Sequence, residues 1–231
     1  MKIGILQTGH SPEGLLASHG DYDSIFAALL ATQGLDAEAF PVVDGIFPTD
    51  IDTCDGWLIT GSRFGAYEDH DWIPPLEDLL RRAYAAGIPI VGICFGHQIL
   101  AQALGGKVEK FAGGWSVGPT AYEFEGRSVT LNAWHQDQVT EIPAEATVIG
   151  RSAFCENAML AYGDTAFSVQ AHPEYSHEFI KGLADTRGRG LVPDALLEQL
   201  EANLDLPLDQ VMFAERIGQF FKTAQTKGRA A

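Results

Sequence analysis

Two short stretches carry residue types that could do chemistry together. In Gly92-Ile93-Cys94-Phe95-Gly96 a cysteine stands between two glycines, where the apolar run from Ile88 gives way to helical spacing through Leu104. Glycines on both sides permit a sharp strand-to-helix turn that lifts the central side chain above a sheet, a cysteine version of the nucleophile elbow. Such a turn predicts a Cys94 that is presented and not buried. At the N-terminus of the following helix, unpaired N–H groups and the positive dipole end favour thiolate over thiol, and the N–H of Phe95 can face a developing oxyanion. The competing reading is a small apolar residue that ends a buried strand.

A cysteine nucleophile needs a base, and the base needs an orienting group. Gln170-Ala171-His172-Pro173-Glu174 offers both. A carboxylate bonded to one ring nitrogen of His172 would fix the tautomer that turns the other nitrogen toward Cys94. Alone, His-Pro-Glu would suit a capping or surface histidine equally well. Chain order adds information: α/β-hydrolases place the acid before the histidine, whereas here the well-placed carboxylate follows it.

The elements that must hold these residues alternate along the first half of the chain. Strands are expected at Lys2–Gln7, Ala37–Val43 and Gly56–Thr60, a loop at Thr8–Asp21, and helices at Asp23–Gln33 and Asp71–Ala86, followed by the elbow. This alternation predicts an α/β fold with a parallel sheet wound by right-handed crossovers and ligands at the carboxyl ends of its strands. Cys94 and the loop Gly61-Ser62-Arg63-Phe64-Gly65 both fall there; the loop lacks the phosphate-binding pattern. From Lys107 to Gln170, short strand-like pieces (107–111, 120–124, 128–131, 147–151, 158–162 and 166–170) predict a small antiparallel extension. A helical run to about Thr186, helices over 192–204 and 208–223, and a frayed tail over 224–231 complete a single domain spanning 1–231.

Composition excludes several function classes. A net charge of −16 opposes a nucleic-acid surface, the one basic run lying at Lys222 to Arg229. No apolar run is long enough to span a bilayer, and Met1 to Gln7 lacks the pattern of a signal peptide, so a cytoplasmic location is expected. Cys54, Cys94 and Cys155 form neither a disulfide framework nor a zinc-ligand pattern.

Cysteine followed far downstream by His-x-Glu resembles the class I glutamine amidotransferases, whose elbow reads G-x-C-x-G-x-Q and whose base lies in H-P-E. Here these are Gly92 to Gln98 and His172-Pro173-Glu174. The resemblance covers nearly the whole chain and looks closest to the stand-alone GMP-synthase-like branch, which includes γ-glutamyl peptidases. It implies a flavodoxin-like, mostly parallel sheet flanked by helices. It also implies Cys94 as nucleophile, His172 as base, Glu174 as orienting acid, and an oxyanion hole from the backbone of Gly61, Ser62 and Phe95. Gln98 would hold the glutamyl portion of the substrate, and His135, Gln136 and Asp137 match the segment that grips its α-amino and α-carboxylate groups. For His135 a structural role competes. Trp115 either walls the pocket or packs in the core, and His97 packs within its helix. The loop departs from the family's Gly-Gly-Pro: Arg63 stands where proline is usual, and it could read a substrate carboxylate, remain solvated, or pair with Glu68 or Asp69. The implied reaction is hydrolysis of a γ-glutamyl amide without metal or organic cofactor. Ammonia would pass to a separate synthetase subunit, or the protein would be a free-standing γ-glutamyl peptidase; a non-enzymatic binding module is the third reading.

Overall fold

The computed structural model describes residues 1–228, with side chains described through residue 224. Strands β1 (Lys2–Leu6), β2 (Asp36–Phe40), β3 (Gly56–Ile59) and β4 (Ile90–Ile93) are interleaved with helices α1 (Glu13–His19), α2 (Tyr22–Thr32), α3 (Ile73–Ala85) and α4 (Phe95–Ala103). Seven further strands follow: β5 (Lys107–Lys110), β6 (Ser116–Phe124), β7 (Arg127–His135), β8 (Asp137–Glu141), β9 (Ala146–Arg151), β10 (Met159–Tyr162) and β11 (Ala166–Val169). Helix α5 (His177–Leu183) runs into a π turn at Ala184–Gly188, and α6 (Asp194–Ala202) and α7 (Gln210–Gly228) close the chain.

Nine strands form one sheet in the order β2-β1-β3-β4-β11-β10-β9-β6-β7, and β5 pairs with β8 separately. β2, β1, β3, β4 and β11 run parallel, while β10, β9, β6 and β7 continue the sheet antiparallel. The central strands Gly-Trp-Leu-Ile, Ile-Val-Gly-Ile and Ala-Phe-Ser-Val are buried throughout, because helices cover both faces. One face packs Leu76 and Leu80 of α3 and Ile99 and Leu100 of α4. The other packs Phe26 and Leu30 of α2 and Phe213, Ile217 and Phe221 of α7. Each of these side chains is fully buried, worth about 1.5–3 kcal/mol apiece. No helix among the described residues is long and apolar enough to cross a membrane.

The structure corrects the element assignments at four points. The expected loop at Thr8–Asp21 contains α1, whose seven residues bury only Leu15, too few for a helical period to show. The piece at 166–170 does not belong wholly to the antiparallel extension: β11 pairs parallel with β4 on one side and antiparallel with β10 on the other. Strand β8 falls between the expected strand-like pieces, and it takes β5 out of the main sheet. Helix α7 continues through Gly228, past the start of the expected tail, and residues 229–231 lie outside the described residues.

Candidate active site

The return of β11 to the centre of the sheet sets the site, because it brings the segment after Val169 beside the elbow after Ile93. Cys94 adopts φ 53° and ψ −104°, a conformation that costs a non-glycine residue about 1–3 kcal/mol. Backbone bonds hold it there: Cys94 N donates to Val169 O at 2.8 Å and Gly96 N to Thr60 O at 3.1 Å. Both flanking glycines are required by contact. A Cβ on Gly92 would collide with the carbonyl of Gly96, and one on Gly96 with the carbonyl of Ile59. Contrary to the expectation from the elbow, Cys94 is buried, with 6% of its surface exposed, on the wall of a cleft.

His172 faces it from the end of β11. Its backbone N–H donates to Asn132 O at 2.8 Å, an isolated antiparallel bridge to β7. Its Nδ1 lies 2.7 Å from Glu174 Oε1, the two side chains being 2% and 1% exposed. A carboxylate only accepts, so Nδ1 carries a proton and donates, and Nε2 is left without a hydrogen-bond partner among the described residues. Burial pushes the imidazole down, but negative charge on Cys94 and the Glu174 carboxylate outweigh it and raise His172 to about 10. The site therefore sets a positively charged imidazole beside the Cys94 side chain. The Pro173-Glu174-Tyr175 loop is tied to two distant elements, with Asn132 Nδ2 donating to Tyr175 O at 2.8 Å and Gln210 Nε2 to the carbonyls of Pro173 and Tyr175 at 2.9 Å each.

Gly61 closes against both reacting side chains. A Cβ there would stand 3.1 Å from His172 Cε1 and 3.6 Å from Cys94 Cβ. The Gly61 carbonyl accepts from the hydroxyls of Thr8 and Thr60 at 3.1 Å each, so the trans peptide turns the Ser62 N–H to the opposite side. Phe95 opens α4, so its N–H is one of those a helix leaves without an internal partner.

Cys94, Gln98, His135, Gln136, Asp137 and His172 line one cleft, together with Ser62, Arg63 and Trp115. Gly61 and Phe95 stand beside it, and Glu174 sits against the far nitrogen of His172. Gln98 Nε2 is already engaged, donating to Asp137 O at 3.0 Å and Gln170 Oε1 at 3.1 Å. His135 Nδ1 contacts Asp137 O at 3.2 Å, and burial lowers its pKa to about 4, so the ring is neutral. Burial raises the Asp137 carboxyl, which accepts from the Tyr67 hydroxyl at 3.3 Å. Trp115 is partly buried, lining the cleft and packing on Trp134 with centroids 6.1 Å apart. Arg63 is exposed, with its guanidinium 4.8 Å from the Phe64 ring centroid. Glu68 pairs with His70 instead, and Arg63 has no ion pair among the described residues. His97 packs inside the fold as expected, with Nδ1 2.8 Å from Ser168 Oγ. His10 and His70 contact Asp21 and Glu68 at 2.6 and 2.9 Å.

Several cleft residues escaped the sequence. Gln170 Nε2 points at Cys94 Sγ from 3.8 Å, and only its place two residues before His172 could have marked it. Tyr22, Tyr67, Tyr175, Leu183, Arg187 and Leu191 also line the cleft, brought in from separate elements.

With fold and site in view, the chain belongs to the glutamine amidotransferase class-I family, whose profile matches residues 25–181. It is 29% identical over 225 residues to γ-glutamyl peptidase 3 of Arabidopsis thaliana, covering 90% of this chain and 84% of the relative. It is 31% identical over 192 residues to a glutamine-hydrolysing GMP synthase subunit from Methanopyrus kandleri, covering 75% and 97%. A solved glutamine amidotransferase from Methylobacillus flagellatus shares the fold with a TM-score of 0.72 at 22% identity, covering 99% of this chain and 94% of the other.

Proposed function

We propose that this protein hydrolyses γ-glutamyl amides through a thioester on Cys94. The observation that carries the reading is the strained Cys94 at a helix N-terminus beside a His172 whose other nitrogen is held by Glu174 at 2.7 Å. The thiolate attacks the γ-carbonyl carbon, and the carbonyl π electrons move to oxygen, which faces the N–H groups of Phe95 and the Gly61–Ser62 peptide. His172 gives its Nε2 proton to the leaving nitrogen as the C–N bond breaks, leaving amine and thioester. Neutral His172 then takes a proton from water, hydroxide adds to the thioester, and the C–S bond breaks to release glutamate. The imidazolium–thiolate pair is restored. His135, Gln136 and Asp137 lie where a substrate's amino-acid head would be gripped, chiefly by backbone, with Gln98 bracing that segment through Asp137 O.

The two named relatives support two settings for this chemistry: a glutaminase that passes ammonia to a separate synthetase partner, and a γ-glutamyl peptidase acting alone. A non-enzymatic binding module would have no use for a strained cysteine facing a charged histidine. Free thiols at Cys54, Cys94 and Cys155 fit a reducing, cytoplasmic setting.

Alkylation tests the site directly. Burial pushes the Cys155 thiol up to about 12 and raises Cys54, so iodoacetamide at neutral pH is expected to label Cys94 first, and a γ-glutamyl substrate to slow that labelling. Earlier labelling of Cys54 or Cys155 in the folded protein would contradict the assignment.

A further inference from the structure

The cleft that holds His172 is also lined by Tyr175 and Tyr22, which pack in one cluster with an apolar wall that hydrolysis of glutamine does not need. That wall is formed by Leu183, Leu191, Trp115 and Trp134, with Arg187 beside them. Leu191 is a large apolar side chain left 57% exposed. Arg187 sits in the π turn at Ala184–Gly188, where the widened helix re-aims a side chain, a device that recurs at functional sites. Gly188 lets this turn pack closely, since a Cβ there would lie 3.2 Å from the Trp134 ring. The Arg187 guanidinium donates to the carbonyl of His10 at 3.3 Å. It has no carboxylate partner among the described residues, in a chain of 31 acidic residues and net charge −16.

Direction follows from the chemistry. His172 must protonate the leaving nitrogen, so the leaving group lies on the side of His172. That side is bounded by Tyr175, stacked on the imidazole, and by Tyr22, whose hydroxyl is 3.2 Å from that of Tyr175. Asp137, Tyr67 and Lys110 form a second group in the lining, Tyr67 bonded to Asp137 and Lys110 paired with it in register, with groups of both charges that suit an amino-acid head. Ammonia would fill none of the leaving-group side. An amino acid linked through its amino group would, with its carboxylate two bonds from the scissile nitrogen.

We propose that Arg187 and the apolar wall of Leu183, Leu191, Trp115 and Trp134 form a leaving-group subsite for γ-glutamyl peptides. Its ligand is the carboxylate of a second residue with a large apolar side chain. The assignment rests on the hydrolytic reading above and makes Arg187 a specificity-determining residue for it. The guanidinium fork pairs with the carboxylate, and the wall covers the side chain.

The test compares γ-glutamylphenylalanine with γ-glutamyl-phenethylamide, which differ by that carboxylate alone. Wild-type kcat/KM is expected to favour the dipeptide by roughly tenfold or more, the value of a charge-assisted bond. Arg187→Met should bring the ratio close to one, and Arg187→Lys should retain part of it. If Arg187→Met does not fold, Leu191→Asp supplies the second reading: a carboxylate at this end of the cleft should lower the ratio. An unchanged ratio in the variants overturns the subsite, and so does a ratio that collapses in Arg63→Met instead. Wild-type protein that hydrolyses glutamine but neither amide also overturns it while leaving the hydrolase reading intact. Wild-type protein inert toward all three defeats the hydrolase reading itself, and the subsite with it.

Discussion

The imidazole of His172 lies flat on the ring of Tyr175, with centroids 3.9 Å apart and planes 4° from parallel. With Nδ1 bonded to Glu174 and one face on Tyr175, the ring has one orientation that keeps Nε2 toward Cys94. Tyr175 is itself fixed by Phe179 at 4.4 Å and by its hydroxyl contact with Tyr22.

Tyr175 is therefore expected to be a positioning residue. Tyr175→Phe keeps the stack and loses only the contact to Tyr22, so kcat should stay within about threefold, at a stability cost of roughly 0.5–1.5 kcal/mol for the lost hydrogen bond. Tyr175→Leu removes the flat surface, and kcat should fall about tenfold or more by loss of orientation. Thermal unfolding and the pH profile of both variants separate this from simple destabilisation. A Leu variant with full kcat and an unchanged alkaline limb would show that the stack is mere packing.

Removing the orienting acid should cost less than removing the base. In enzymes of this logic the acid acts through the histidine, and its loss costs kcat roughly a hundredfold less than the loss of the base. Glu174→Gln should thus retain more turnover than His172→Ala. Both positions are buried, so unfolding curves must accompany the rates. Equal losses in two well-folded variants would mean that the roles are misassigned.

Alkaline pH should weaken both activity and stability. The folded pKa of His172, about 10, lies above its ordinary value of 6.5. A raised histidine contributes stability that is fully present below the unfolded value and is lost as pH rises through the folded one. Stability and kcat/KM should therefore decline toward pH 10. Cys94→Ala, which removes a principal source of the upward shift, should show a flatter decline in Tm over the same range. Identical Tm profiles for the two proteins would contradict the ion pair.

The parts of the site that could be read from the chain are those fixed by local backbone contact. Gly92 and Gly96 announce the elbow because neither position tolerates a Cβ, and Glu174 lies close enough in sequence to reach His172. The remainder depends on long-range topology. Asn132 and Gln210 hold the His172 loop from β7 and α7, and no local pattern marks either as a support. Tyr22 reaches Tyr175 across 153 positions of sequence. The fold followed the same division. Alternating strands and helices gave the parallel half, whereas the placement of β11 between β4 and β10 rests on pairings that apolar runs do not specify.

The measurement that tests the central claim most directly is the release of glutamate from glutamine and from γ-glutamylphenylalanine by wild-type protein and by Cys94→Ala. The account predicts glutamate from at least one substrate with the wild type. It predicts a loss of roughly a thousandfold or more in the folded variant, since the thioester route is then closed. Glutamate release that survives Cys94→Ala would place the chemistry elsewhere and contradict the account.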